Sequence, residues 1–337
     1  MLISYLLKPG HIELREVKTP VPSKGEVLVK IRAALTCGTD LKAFLRGHPM
    51  IPMPGVFGHE FSGTISETGK GVNGFKAGDE IMAVHTAPCL ACRYCKKKLY
   101  NLCENIMQTK VLGAFAEYIL LPSHIVRQNL FHKPQNLTYE GAALLEPLAC
   151  VIHGMNKLNI KKGDKVLIIG AGPIGLLHIQ LAKLKGADVV VTGLESSRLE
   201  IARKLGADIS VEPSKLIDAI GNFTNGLGLD YVFECTGQLN IWEDSINYVR
   251  RGGTVVLFGG VKKGTKASYD TYRLHYDEIT LKGVFHFTPR DVGIAYNLLK
   301  DTLDLSIMIS GRYPLKDLNI ALKRLSKGEG IKYAIIP

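Results

Sequence analysis

Val166-Leu167-Ile168-Ile169-Gly170-Ala171-Gly172-Pro173-Ile174-Gly175 reads as a buried strand running into a glycine-rich turn, and the apolar pattern of 176–185 behind it reads as a helix. The G-x-G-x-x-G order has a physical logic. Gly170 permits the tight turn, Gly172 lets a pyrophosphate approach the backbone, and Gly175 allows the helix to pack close against the sheet. The helix N-terminus behind the glycine turn offers unpaired N–H groups and a positive dipole end to phosphates. A glycine turn without a ligand is the competing reading. A second strand about twenty residues further on weighs against it.

Working outward, apolar runs at 165–169, 188–192, 209–211, 230–234, 254–258 and 279–284 alternate with helical patterns at 197–205 and 240–250. That rhythm predicts one six-stranded, doubly wound α/β sheet of the dinucleotide-binding kind. The second strand ends Val190-Val191-Thr192-Gly193-Leu194-Glu195-Ser196-Ser197-Arg198. A carboxylate at its tip would bind the adenosine ribose hydroxyls and repel a 2′-phosphate, and Gly193 supplies none. Glu195 suits NAD, while Arg198 and the serines suit NADP, so both cofactors stay open.

The first ~125 residues read differently, as short alternating strands such as 26–31, 80–84 and 117–121 punctuated by glycine and proline. They predict a small, mainly antiparallel barrel or sandwich. After the α/β segment the chain returns to helical patterns at 291–300 and 315–327 and ends in the apolar run 333–336. This tail is expected to complete the first domain.

Within the first segment stand Cys89, Cys92, Cys95 and Cys103, spaced C-x2-C-x2-C-x7-C. Short loops with thiolates three apart wrap a tetrahedral Zn²⁺, whereas the same gaps are too tight for most disulfides. A redox C-x-x-C pair normally opens a helix beside a strand, and here the setting is the Lys96-Lys97-Lys98 excursion. A closed structural zinc in a lobe at 86–108 follows, in a reduced, cytoplasmic setting.

The 337 residues suffice for two domains, and 46% hydrophobic with 22% charged content is ordinary for a globular protein. No apolar run approaches the ~18 residues of a membrane helix, and no signal peptide is read at the N-terminus. The net charge of +11 comes from scattered lysines, without a nucleic-acid module, so neither nucleic acid nor membrane is expected as a partner.

Cys37-Gly38-Thr39-Asp40 follows a strand, Gly58-His59-Glu60 comes next, and Glu146 lies in Leu144-Leu145-Glu146-Pro147-Leu148-Ala149. A catalytic zinc takes three protein ligands and keeps a position open, and cysteine, histidine and carboxylate all suit it. Each residue alone reads more simply as a buried thiol, a core histidine or a helix-start glutamate. Their combination with a nucleotide domain raises the catalytic reading.

Together these residues resemble the zinc-dependent medium-chain dehydrogenases of the alcohol and polyol (sorbitol) group. Gly58-His59-Glu60-x2-Gly63-x5-Gly69-x2-Val72 reproduces that family's zinc signature, and Glu234-Cys235-Thr236-Gly237 and Leu257-Phe258-Gly259-Gly260 match further segments. The resemblance spans essentially the whole chain. It implies a GroES-like catalytic domain at 1–147 completed by 286–337, and a Rossmann domain at 148–285. Cys37 and His59 become zinc ligands, with Glu60 ligating directly or through water. Glu146 takes the place of the glutamate of the polyol branch, and Thr39 passes a proton from the bound alcohol. Cys235, Thr236, Phe258, Gly259 and Phe285 join the cofactor contacts. The implied activity is hydride transfer between a secondary alcohol (polyol, sugar alcohol or cyclitol-like) or its ketone and NAD(P), with one catalytic and one structural zinc per chain, in a homodimer or homotetramer. Threonine or a diol are alternative substrates. Zinc-free reductases of the same fold lack the cysteine and histidine set, and a non-enzymatic nucleotide-sensing zinc protein has no need for an open site beside Thr39.

Overall fold

The structure, a computed structural model, describes Met1–Pro337. The chain divides into two compact units, one of Met1–Ala149 with Phe287–Pro337 and one of Cys150–His286.

The second unit holds a six-stranded parallel sheet. Across it the strands run Ile209–Val211, Asp188–Thr192, Lys165–Ile169, Leu229–Glu234, Val249–Leu257 and Thr280–Gly283. This is the doubly wound order, in which the winding reverses between the first and fourth strands and leaves a crevice at their carboxyl ends. Val166, Leu167 and Ile168 are fully buried, as expected where helices cover both faces of a parallel sheet.

One expectation fails here. The pattern at 240–250 yields a helix only over Leu239–Asp244, followed by a 3₁₀ turn at Ser245–Asn247 and then the strand Val249–Leu257. Trp242 Nε1 donates to the Gly259 carbonyl at 2.8 Å and Ser245 Oγ to the Trp242 carbonyl at 2.5 Å, tying the helix end down. Val249 then pairs with Leu229, so apolar residues that imitate a helical stripe serve the turn and the sheet.

The first unit carries a seven-stranded sheet and a three-stranded one. The larger runs Ile309–Pro314, Lys332–Ile336, Val27–Leu35, Glu60–Thr68, Glu80–Ala83 and Leu130–His132, with Tyr118–Leu121 also paired to Val27–Leu35. All its pairings are antiparallel except Ile309–Pro314 with Lys332–Ile336. Alternation in Val27, Val29 and Ile31 puts one face into a core with Phe57, Phe61 and Phe115. The helix Leu318–Ser326 covers that core with Leu318, Ala321, Leu322 and Leu325, an i, i+3, i+4, i+7 stripe. In the strand Lys332–Ile336, Ala334 pairs with Leu35 and Ile335 with Ala34, just ahead of Cys37. No helix is long and apolar enough to cross a membrane.

Candidate metal and dinucleotide sites

Two strand ends bring the first site together. Val27–Leu35 delivers Cys37, which caps the helix Gly38–Arg46 by accepting the Thr39 N–H on Sγ at 3.2 Å. Gly58, at φ +86°, turns the chain so that His59 and Glu60 open the neighbouring strand Glu60–Thr68. A side chain at Gly58 would run into the Phe115 ring at 2.7 Å. Cys37 Sγ and His59 Nε2 lie 3.4 Å apart, and with a Glu60 oxygen they form a donor trio within 4.8 Å of one another. Thr39 sits half-buried in the first turn of the same helix.

The surroundings are strongly charged for so dry a place. Burial pushes the Cys37 thiol up and Asp40 adds to this, while His59 opposes. Burial pulls His59 down, but Cys37 and Asp40 outweigh it and hold the imidazole well above its ordinary range. Glu60 is raised to about 7, with burial pushing up, Lys332 pulling down and Glu146 adding repulsion. A thiolate, an imidazole and a carboxylate converging in a buried pocket suit a divalent zinc, which would satisfy charges the protein otherwise leaves in conflict.

Glu146 stands apart from that trio. It opens the helix Leu145–Met155, and its Oε1 lies 3.6 Å from His85 Nδ1. The His85 ring stands 4.8 Å from that of His59 and edge-on to Phe287 at 6.2 Å. His85, Asp40 and Lys332 are site residues that the sequence alone did not reveal. Asp40 Oδ1 lies 3.5 Å from His59 Nδ1, and Lys332 Nζ lies 2.5 Å from Glu60 Oε2. Asp40 follows Cys37 by three residues in Cys37-Gly38-Thr39-Asp40, and that spacing on a helix start is the signal that could have found it. His85 and Lys332 carry no motif.

The four lobe cysteines converge with all sulfurs within 4.8 Å of one another, near enough for one zinc ion to gather them tetrahedrally. The backbone N–H of Cys89 points at Cys103 Sγ at 3.3 Å and that of Cys92 at Cys89 Sγ at 3.4 Å. The N–H groups of Ala91 and Cys92 bring Cys89 down to about 6, and burial lifts Cys95 to about 12. All seven cysteines of the chain are free thiols. The donor chemistry fits a closed zinc site.

In the second unit the glycine turn takes the expected form. Gly170 has φ +107°, and a Cβ on Gly175 would lie 1.9 Å from the Gly170 carbonyl oxygen. A Cβ on Gly172 would meet nothing within 4 Å, which is the open approach a pyrophosphate requires. Gly172 caps the helix Pro173–Leu184, with Pro173 and Ile174 in its first turn. Buried Glu234 accepts the N–H groups of Thr236 and Gly237 at 2.7 and 3.0 Å, fixing the turn that bears Cys235 and Thr236. The bond from Trp242 to Gly259 fixes the turn after Phe258. Burial raises the Cys235 thiol well above its ordinary value, and the Glu234 carboxylate adds to this. Phe285 is 43% exposed.

Gly193 has a steric reason not visible in the sequence. A Cβ there would lie 2.8 Å from Ala171 Cβ, inside the glycine turn. Glu195 caps the helix Ser196–Lys204, and its Oε2 lies 3.7 Å from Arg198 NH1. The two residues that point to opposite cofactors are thus an ion pair.

Comparison with known proteins agrees with both units. Residues 23–134 match the alcohol dehydrogenase GroES-like domain, and residues 173–301 match the zinc-binding dehydrogenase family. The sorbitol dehydrogenase of Halalkalibacterium halodurans is 32% identical over 97% of this chain and 96% of its own length. The D-arabitol-phosphate dehydrogenase of Enterococcus avium is 34% identical over 97% and 95%. Among solved structures, one described as a zinc-binding dehydrogenase of Sinorhizobium meliloti 1021, bound to NADP, superposes with a TM-score of 0.90 at 31% identity, covering 100% of this chain and 99% of the other.

Proposed function

The chain belongs to the zinc-dependent medium-chain alcohol and polyol dehydrogenases, and on that premise we propose that it interconverts a sugar alcohol, or a similar secondary polyol, and its ketone with NAD(P). The observation that carries this reading is the convergence of Cys37, His59 and Glu60 on one buried point beside Thr39. Those three residues would hold a catalytic zinc, with Glu146 as the further carboxylate beside them. Cys89, Cys92, Cys95 and Cys103 would hold a second, structural ion. When bound, the catalytic ion supplies a Lewis acid that lowers the pKa of a coordinated hydroxyl.

The protein's own groups do the rest. Thr39 Oγ1 accepts the substrate hydroxyl's proton and passes it outward. Asp40 orients the His59 ring, and the buried carboxylates provide acceptors for neighbouring hydroxyls of a polyol. The first unit, Met1–Ala149 with Phe287–Pro337, is the catalytic domain, and Cys150–His286 is the dinucleotide domain, each boundary within two residues of that expected from the sequence. There Gly170, Gly172, Pro173, Ile174 and Gly175 receive the pyrophosphate. Cys235, Thr236, Phe258, Gly259 and Phe285 line the remaining cofactor path, and Gly193, Glu195 and Arg198 meet the adenosine ribose.

Steady-state assays of the zinc-loaded protein on sugar alcohols, diols and amino alcohols, with both cofactors, test the reading. A kcat/KM for threonine or a simple diol above that for every polyol would overturn the substrate class.

A homodimer, or a tetramer of dimers, belongs to the same proposal. Thr280–Gly283 is the outermost strand of its sheet, and Tyr272 and Tyr276 nearby are 64% and 66% exposed. A monomer by light scattering at micromolar concentration would refute it. We place the enzyme in the cytoplasm because its seven free cysteines suit a reducing compartment, which cell fractionation checks.

A further inference from the structure

Lys332 is the only charged residue in the run Ile331-Lys332-Tyr333-Ala334-Ile335-Ile336, and it is 1% exposed. Burying an ammonium is costly unless it is paired and hydrogen-bonded. Its Nζ donates to the carbonyl of Thr36 at 3.0 Å and to Oε2 of Glu60 at 2.5 Å. Thr36 precedes Cys37, and Glu60 follows His59. One buried cation therefore grips both chain segments that deliver the donor trio. The neighbouring residue tightens the same seam, because the N–H of Tyr333 donates to Thr36 Oγ1 at 3.0 Å and the N–H of Thr36 to the Tyr333 carbonyl at 3.0 Å.

Charge makes the same point. Asp40 and Glu60 bring two buried carboxylates to the segments that carry Cys37 and His59, and Lys332 is the buried amine bonded to one of them. A lysine that only filled space would be replaceable by methionine at no loss of stability, or at a gain.

We infer that Lys332 is a positioning residue of the metal site, holding Glu60 through Oε2 and the Cys37 arm through the Thr36 carbonyl. This rests on the zinc reading above. Lys332 is sealed from solvent and acts through Glu60 and the Thr36 carbonyl. Partners that orient metal-binding carboxylates in this way are worth about 10–100-fold in metal affinity.

The test is chelator competition on the full-length zinc-loaded protein, with the four-cysteine lobe as internal reference. Lys332→Met is expected to weaken zinc binding at the Cys37 site by about 10–100-fold while the lobe keeps its ion, and Lys332→Arg to recover most of the loss. The double variant Lys332→Met/Glu60→Gln is expected to lose far less than a further ~10–100-fold relative to Glu60→Gln, since with Glu60 neutral only the bond to the Thr36 carbonyl is left for Lys332 to lose. A folded Lys332→Met protein with unchanged zinc affinity would overturn the inference. So would additive losses in the double variant, which also carries the test if Lys332→Met alone fails to fold. Native protein that takes up a single zinc, at the cysteine lobe only, would overturn the zinc reading itself.

Discussion

Asp40 Oδ1 stands 3.5 Å from His59 Nδ1, and both Asp40 oxygens are sealed from solvent with no partner besides that imidazole. A buried carboxylate with one neighbour has its purpose defined by that neighbour. Asp40 holds the proton of His59 on Nδ1, which leaves Nε2 free to face Cys37 and a metal. Asp40→Asn keeps the shape and removes the charge. It should lower zinc affinity at this site by about 10–100-fold, read by chelator competition, with the lobe zinc unaffected. Equal affinity in the two proteins would show that His59 is oriented by its packing alone.

The two cysteine sets should fail in different ways. Cys37→Ser or His59→Ala is expected to abolish turnover yet leave a folded protein carrying about one zinc per chain, by elemental analysis. Cys92→Ser should instead lower the melting temperature, because a closed zinc site contributes folding free energy. Undiminished turnover in Cys37→Ser would sink the catalytic assignment.

Cofactor choice should answer to Glu195 and not to Gly193. A Cβ at Gly193 would press on Ala171 at 2.8 Å, so Gly193→Asp should destabilise the protein by about 1–3 kcal/mol in thermal unfolding before it can act on the ribose. Glu195→Ser removes a carboxylate and releases Arg198 from its ion pair. It should move the NADP-to-NAD ratio of kcat/KM upward by about 10–100-fold, the worth of one charged hydrogen bond. Native protein already favouring NADP beyond a hundredfold would show that Glu195 plays no part in the choice.

Acid should find a weak point at His178. The ring is fully buried against Phe233 and Phe258, and its Nδ1 bonds the Ile174 carbonyl at 2.9 Å. Burial depresses it to about 4, with the carbonyl bond opposing. The unfolded chain binds this proton near 6.5 and the folded one only near 4. The contribution is therefore present above 6.5 and is lost as pH falls toward 4, about 3 kcal/mol in all. His178→Phe should flatten the pH dependence of denaturant unfolding across that window. An unchanged slope would place the acid sensitivity elsewhere.

Features held by neighbouring residues were legible in the sequence. The glycine turn, the cysteine quartet and the Gly58-His59-Glu60 string are local, and spacing alone states their geometry. Lys332 meets Glu60 across 272 positions, a relationship that no window of sequence contains. His85 lies two residues past the strand Glu80–Ala83 and looks like any core histidine until the fold sets it beside Glu146. Gly193 misled for a related reason. Its missing side chain reads as a missing charge, while the fold shows it as a missing volume beside Ala171.

The strand Lys332–Ile336 is wedged between Ile309–Pro314 and Val27–Leu35, so a segment translated after the whole of Cys150–His286 completes the sheet to which Val27–Leu35 belongs. Cys150–His286 is contiguous and can fold as soon as it clears the ribosome, whereas Val27–Leu35 keeps an open edge until Lys332–Ile336 emerges. Nascent chains stalled at residue 331 should give a protease-resistant 150–286 fragment and a digestible 1–149. The order of manufacture thus leaves Cys37 and His59 without their finished scaffold until the strand that carries Lys332 arrives.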